Sequence, residues 1–124
     1  MISYRQILHA SLIVADTATA LEFYGDVLGM QVNPSRPDLG FPGAWLDVGA
    51  QQIHLLELPN PDPVSDRPTH GGRDRHTAIS IDNLNQLVDA LGQANIPFTT
   101  SKSGRRALFC RDPDGNALEF IESV

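Results

Sequence analysis

The stretch Arg111 to Glu122, RDPDGNALEFIE, decides how the chain folds. Asp112-Pro113-Asp114-Gly115 is a turn, because Pro fixes φ at its second position and Gly accepts a left-handed conformation at its end. The alternation that follows predicts a strand over Asn116 to Ile121, with Ala117, Glu119 and Ile121 on one face and Leu118 and Phe120 on the other. Glu119 therefore stands among apolar neighbours on a pleated surface. A carboxylate there is costly to bury unless it is paired, protonated or bound to a cation. Taken alone, the strand reads more simply as a solvated edge with Glu119 in water.

Upstream, Arg106 to Cys110 and Phe98 to Ser101 have strand composition around a turn at Ser103-Gly104. Before them, Leu84, Leu87, Val88 and Leu91 follow the i, i+3, i+4, i+7 spacing of a helix capped by Asp82 or Asn83 and stopped by Pro97. His76 to Ile81 is a strand that opens on a histidine. The first half of the chain repeats this order. Ile7 to Val14 is a strand with His9, Ser11 and Ile13 on one face. Asp16 caps a helix carrying Ala20, Leu21, Tyr24, Val27 and Leu28 up to Gly29. Met30 to Asn33 is a short strand, Pro34 to Gly43 a loop, and Ala44 to Val48 with Gln52 to Leu58 a hairpin.

The halves agree in distance as well as in order. Capping Asp to helix end is 13 residues in each, Asp16 to Gly29 and Asp82 to Asn95. First-strand histidine to last-strand polar residue is 45 residues in one half, His9 to His54, and 43 in the other, His76 to Glu119. The fold expected is α+β, two βαβββ modules at 5–58 and 76–124 in one domain. Pro59 to Arg75, rich in Pro, Asp and Gly, joins them as a linker or active-site loop with no core of its own.

Composition bounds the function. The chain has 124 residues, one domain's worth, and its 41% hydrophobic and 19% charged content is ordinary for a globular protein. A net charge of −6 argues against nucleic acid as a partner. No run approaches the ~20 apolar residues that span a bilayer. The apolar run Ile7 to Ala15 is short and contains His9, so a mature cytoplasmic N-terminus is expected; a single cysteine, Cys110, fits a reducing compartment.

If the two halves pack as a pseudo-symmetric pair, His9, His54, His76 and Glu119 converge. Three imidazoles and a carboxylate suit one divalent first-row ion, Fe, Mn, Co, Ni or Zn, with positions left for substrate. Any one of these histidines read singly is a hydrogen-bonded core residue; the repeat is what joins them. His70 falls outside it and reads as a solvated loop residue. Arg73, Arg75, Arg105 and Arg106 are candidate partners for a substrate carboxylate, with solvated loop arginines the plainer reading. Parity alone does not say whether Trp45 and Asp47 face the site.

The segments ILHASLIVADTATALEFYGDVLGM, QQIHLLEL, RHTAISIDN and RDPDGNALEFIE resemble the vicinal oxygen chelate superfamily, which holds glyoxalase I, bleomycin-resistance proteins and extradiol dioxygenases. The resemblance implies paired modules forming a cupped mixed sheet with flanking helices around a metal. It implies ligands at His9 and His54 from the first module and at His76 and Glu119 from the second. Glyoxalase I usually carries Glu or Gln at the position of His54, and LLELPNPDP does not resemble its glutathione-contacting stretch. Three functions follow: a metal-dependent lyase or isomerase of the glyoxalase type, with Glu119 as proton shuttle; an extradiol dioxygenase using His9, His76 and Glu119; and a metal-free drug-binding protein. Family members of this length are typically homodimers acting on small molecules, in several of which one module of each subunit builds the site.

Overall fold

Alternating side chains give each strand one face for a core and one for a cup, and the two helices close the core side. The computed structural model describes residues 1–123. The first half contains β1 (His9–Val14), α1 (Thr17–Leu21), β2 (Gln31–Val32), β3 (Gly43–Val48) and β4 (Gln51–Glu57). The second contains β5 (His76–Ile81), α2 (Leu84–Gln93), β6 (Thr99–Thr100), β7 (Ala107–Arg111) and β8 (Ala117–Glu122). These form two four-stranded sheets of order β1-β4-β3-β2 and β5-β8-β7-β6. The sheets are mixed: β1 pairs with β4 and β5 with β8 in parallel, while the remaining pairs are antiparallel.

The repeat holds to the residue. Ser11 pairs with His54 and Ala78 with Glu119, so each polar side chain on a last strand sits one pleat beyond the histidine that opens the first. Across the other edge, Trp45 pairs with His54 and Phe109 with Glu119. The opposite faces carry Leu46, Ile53 and Leu55 from the first sheet and Leu108 and Leu118 from the second, all at most 1% exposed. Burial of each such side chain contributes about 1.5–3 kcal/mol. Tyr24 and Leu91 from the helices, each 0% exposed, complete one continuous core.

Both helices begin alike. Asp16 Oδ2 accepts from Thr19 N at 2.9 Å, and Asn83, rather than Asp82, accepts from Gln86 N at 3.2 Å. A second acceptor comes from the end of each last strand: Glu57 Oε1 takes Thr17 N at 2.7 Å and Glu122 Oε2 takes Leu84 N at 3.1 Å. Each carboxylate lies three residues beyond the cup-facing residue of its strand, so one strand serves the site and fastens the helix behind it.

The helix ends differ from the expected ones. After Leu21 the first helix widens into a π-helical stretch, Glu22–Val27, which keeps the adjacent aromatics Phe23 and Tyr24 buried and edge-to-face at 5.0 Å. The second ends at Gln93, and Asn95 (φ 56°) makes the left-handed reversal before Pro97 is reached.

The Asp-Pro-Asp-Gly turn ties the halves together. Asp112 accepts from Tyr24 Oη at 2.7 Å, Asn116 Nδ2 at 2.8 Å, and the amides of Asp114 and Asn116 at 2.9 Å each. Asn116 Nδ2 also donates to the Ile13 carbonyl at 3.1 Å, and Asp114 Oδ1 accepts from Ala15 N at 3.0 Å. Burial raises the Asp112 carboxyl above its ordinary range, although all these donors favour the anion. Gly115 (φ 83°) permits the turn, and a Cβ there would stand 2.8 Å from the Val64 carbonyl oxygen of the linker.

Removing the hydroxyl with Tyr24→Phe takes a donor from this buried carboxylate and is expected to destabilise the protein by about 1.5–3 kcal/mol, measured by urea unfolding. Glu122 gives a pH signature. The Leu84 amide, then Arg106, hold its carboxyl below the ordinary 4.5. Its contribution is therefore complete above about pH 4.5 and lost as pH falls through the lower folded value. Thermal melting of Glu122→Gln should lie below wild type at pH 7, and the gap should close on acidification.

Candidate metal centre

The cup faces of the two sheets carry the four residues singled out by the repeat, gathered as two pairs. On the first sheet His9 and His54 stack face to face, ring centroids 3.9 Å apart and planes 10° from parallel. Trp45 covers the other face of His54 at 4.4 Å and 8°, which places Trp45 and Asp47 on the cup side. Asn33 Nδ2 donates to Asp47 Oδ1 at 3.0 Å, and Gln52 Nε2 donates to the same oxygen at 3.3 Å. This fixes the Gln52 amide, whose Oε1 lies 2.8 Å from His54 Nε2. The carbonyl oxygen assigns the proton to Nε2 of His54 and leaves Nδ1 bare. Partial burial, then His9 and Arg36, hold the His54 imidazole below its ordinary 6.5, in its neutral form at pH 7.

On the second sheet His76 and Glu119 are neighbours. His76 Nδ1 lies 2.9 Å from the Asp74 carbonyl oxygen, an acceptor, so Nδ1 carries a proton and Nε2 is the nitrogen turned to Glu119. That nitrogen lies 3.4 Å from Glu119 Oε1. Glu119 is 3% exposed, so the solvated-edge reading of its strand fails, because β8 is an interior strand paired on one side with β5 and on the other with β7. Arg105 Nη2 meets the other oxygen, Oε2, at 3.2 Å.

The linker builds this half of the cup. Asp74 is held by Arg67 at 3.2 Å and Arg111 at 2.8 Å, and its carboxyl lies below the ordinary range, chiefly through Arg111. Its short 3-10 turn, Gly71–Arg73, lies on the sheet so closely that a Cβ at Gly71 would stand 3.2 Å from that of Phe109. His70 is not a solvated loop residue: Nδ1 is 2.7 Å from Thr99 Oγ1 and the ring packs edge-on against Phe109 at 4.9 Å. Phe109 meets His76 the same way at 5.1 Å. Phe109 was not singled out from the sequence; the strand register places it opposite Glu119, as it places Trp45 opposite His54.

The two pairs differ in how well they fit a divalent ion. A proton or a cation is what an imidazole Nε2 and a carboxylate oxygen share. Two donors about 2.1 Å from one ion, at tetrahedral or octahedral angles, stand roughly 3.0–3.4 Å apart, which the 3.4 Å separation matches. The backbone carbonyl on Nδ1 is the usual outer partner of a ligating imidazole. The parallel His9–His54 rings do not direct their lone pairs to one point. Within one chain His9 and His76 line a common cleft of about 680 Å³ between β1 and β5. His54 and Glu119 do not reach it, and among the described residues no three His, Cys, Asp or Glu side chains gather. Cys110, whose thiol burial pushes up to about 12, is no nucleophile.

Residues 6–120 match the family model of the Glyoxalase/Bleomycin resistance protein/Dioxygenase superfamily. The chain belongs to this superfamily. It is 32% identical to the lactoylglutathione lyase of Haemophilus influenzae, covering 95% of this chain and 93% of the relative. It is 29% identical to YaeR, an uncharacterised protein of Escherichia coli K12, over 98% and 99% of the two chains. A Bacillus anthracis protein described as of the glyoxalase family, 24% identical, has the same fold, with a TM-score of 0.81 and full coverage of both chains. No helix among the described residues is long and apolar enough to cross a membrane.

Imidazole tautomers test the asymmetry of the site. At pH 8, long-range proton–nitrogen correlation NMR should find His76 protonated at Nδ1 and His54 at Nε2. The opposite tautomer at His76 would mean that its Nε2 is not free to take a cation together with Glu119.

Proposed function

We propose that the protein is a divalent-metal-dependent lyase or isomerase of the glyoxalase type, acting on a small substrate with vicinal oxygens. The observation that carries this reading is the buried Glu119 carboxylate facing Nε2 of His76 at 3.4 Å. The lactoylglutathione lyases among the relatives support the same class of reaction. His76 and Glu119 would hold the ion, with His9 and His54 completing the set once His54 leaves Gln52. A bound divalent ion supplies Lewis acidity, which acidifies the C–H beside the chelating oxygens.

The protein's own groups do the rest. Glu119 accepts the proton from the carbon bearing sulfur in a hemithioacetal and returns it to the neighbouring carbon, while the hydroxyl proton passes to the former ketone oxygen. The aldehyde carbon is oxidised and the ketone carbon reduced, so no external oxidant is needed. Trp45 and Phe109 flank the two pairs and keep water from the transferring proton.

A homodimer fits this chemistry. In one chain the pairs stand apart, and the N-terminal arm leaves Ile2, Tyr4, Ile7 and Leu8 between 64% and 89% exposed. A second copy covering that arm would bring His9 and His54 of one subunit toward His76 and Glu119 of the other. A metal-free binding protein is the second reading, favoured by the Trp45–His54–His9 stack, which offers aromatic faces to a planar ligand.

Metal analysis of the purified protein should find one divalent ion per site. Chelation should abolish turnover on hemithioacetals of 2-oxoaldehydes, and one of Fe, Mn, Co, Ni or Zn should restore it. Glu119→Gln should lower kcat at least about 100-fold, the usual worth of a positioned acid–base group. Turnover of catechols with oxygen uptake would assign the dioxygenase instead. Retention of no ion, with tight binding of planar drugs, would assign the binding protein.

A further inference from the structure

Glu119 presents its two oxygens to two different groups. Oε1 faces Nε2 of His76 at 3.4 Å, and Oε2 meets Arg105 Nη2 at 3.2 Å. The carboxylate side chain is 4% exposed, and a buried carboxylate needs a countercharge. Among the described residues Arg105 is the guanidinium that touches it.

Arg105 is not built into the core. It lies in the turn between β6 and β7, with its side chain 57% exposed, and Ser103 Oγ accepts from its Nε at 3.1 Å. The neighbouring Arg106 is equally exposed at 61% but pairs with Glu122 at 3.1 Å, on the strand end that fastens α2. Arg105 can thus swing into water without opening a void. A guanidinium and a divalent ion satisfy the same carboxylate, and the ion carries twice the charge at a shorter distance.

We propose that Arg105 is a displaceable counter-ion of Glu119: it neutralises the carboxylate while the centre is empty of metal and yields it to the divalent ion. Arg105 thereby sets how tightly the ion is held. This rests on the metal-dependent reading above. Thermodynamic linkage fixes the consequences. A contact present only without metal stabilises the metal-free protein and weakens metal binding by the same free energy.

The test is calorimetric titration with Mn²⁺ of the chelator-treated wild type, Arg105→Gln, Arg105→Lys and Arg106→Gln, with thermal melting of each. Arg105→Gln should bind Mn²⁺ about tenfold tighter, equivalent to about 1.4 kcal/mol. It should melt below wild type without metal, and the deficit should close at saturating Mn²⁺. Arg105→Lys, which keeps the charge and loses the fork, should fall between. Arg106→Gln removes the same charge and should stay within twofold of wild type. Unchanged or weaker binding by Arg105→Gln overturns the proposal while leaving the metal centre standing. An equal gain in Arg106→Gln overturns it as bulk electrostatics. Absence of binding by every variant and by wild type overturns the metal-dependent reading and the proposal together.

Discussion

Asp112 is the contact on which the arrangement of the cup depends. It accepts from its own turn through Asp114 N and Asn116 N, and from the first module through Tyr24 Oη. The turn it organises launches β8, the strand that carries Glu119, while Asn116 and Asp114 hold the end of β1 at Ile13 and Ala15. The relative placement of β1, with His9, and of β8, with Glu119, is therefore set through one buried carboxylate. Hydrogen bonds to a charged group, made where water is absent, are among the strongest available to a fold.

Pseudo-symmetry explains the positions of the four candidate ligands and not their chemistry. The first pair consists of two imidazoles stacked face to face, with His54 further committed to Gln52. It is content without a cation. The second pair places a buried carboxylate against an imidazole nitrogen, and Arg105 adds positive charge from outside the sheet. The same backbone register thus yields one half that is closed in on itself and one that calls for positive charge.

Much of this was readable in the residues. Alternation in Asn116 to Ile121 put Glu119 on one face with Ala117 and Ile121, and the matched spacing of the two halves, seen before any strand pairing was known, set it beside the histidines. The limits are physical. Parity could not orient Trp45, because a strand with apolar residues on both faces reads alike either way. His70 was misjudged because its partners, Thr99 and Phe109, lie 29 and 39 residues away in sequence, and loop composition carries no trace of them. The π-helical stretch was missed because apolar spacing does not distinguish it from an α-helix when Phe23 and Tyr24 are both buried. Arg105 was indistinguishable from its neighbours Arg106 and Arg73 until Glu119 was seen beneath it.

The central claim is that His76 and Glu119 form the fixed half of a divalent metal centre. Anomalous diffraction from crystals grown with Co²⁺ tests it most directly. The account predicts one strong peak within bonding distance of His76 Nε2 and a Glu119 oxygen, with Arg105 turned away and His9 and His54 approaching the same ion from the second copy. A peak elsewhere, or none at full cobalt saturation in solution, would contradict it.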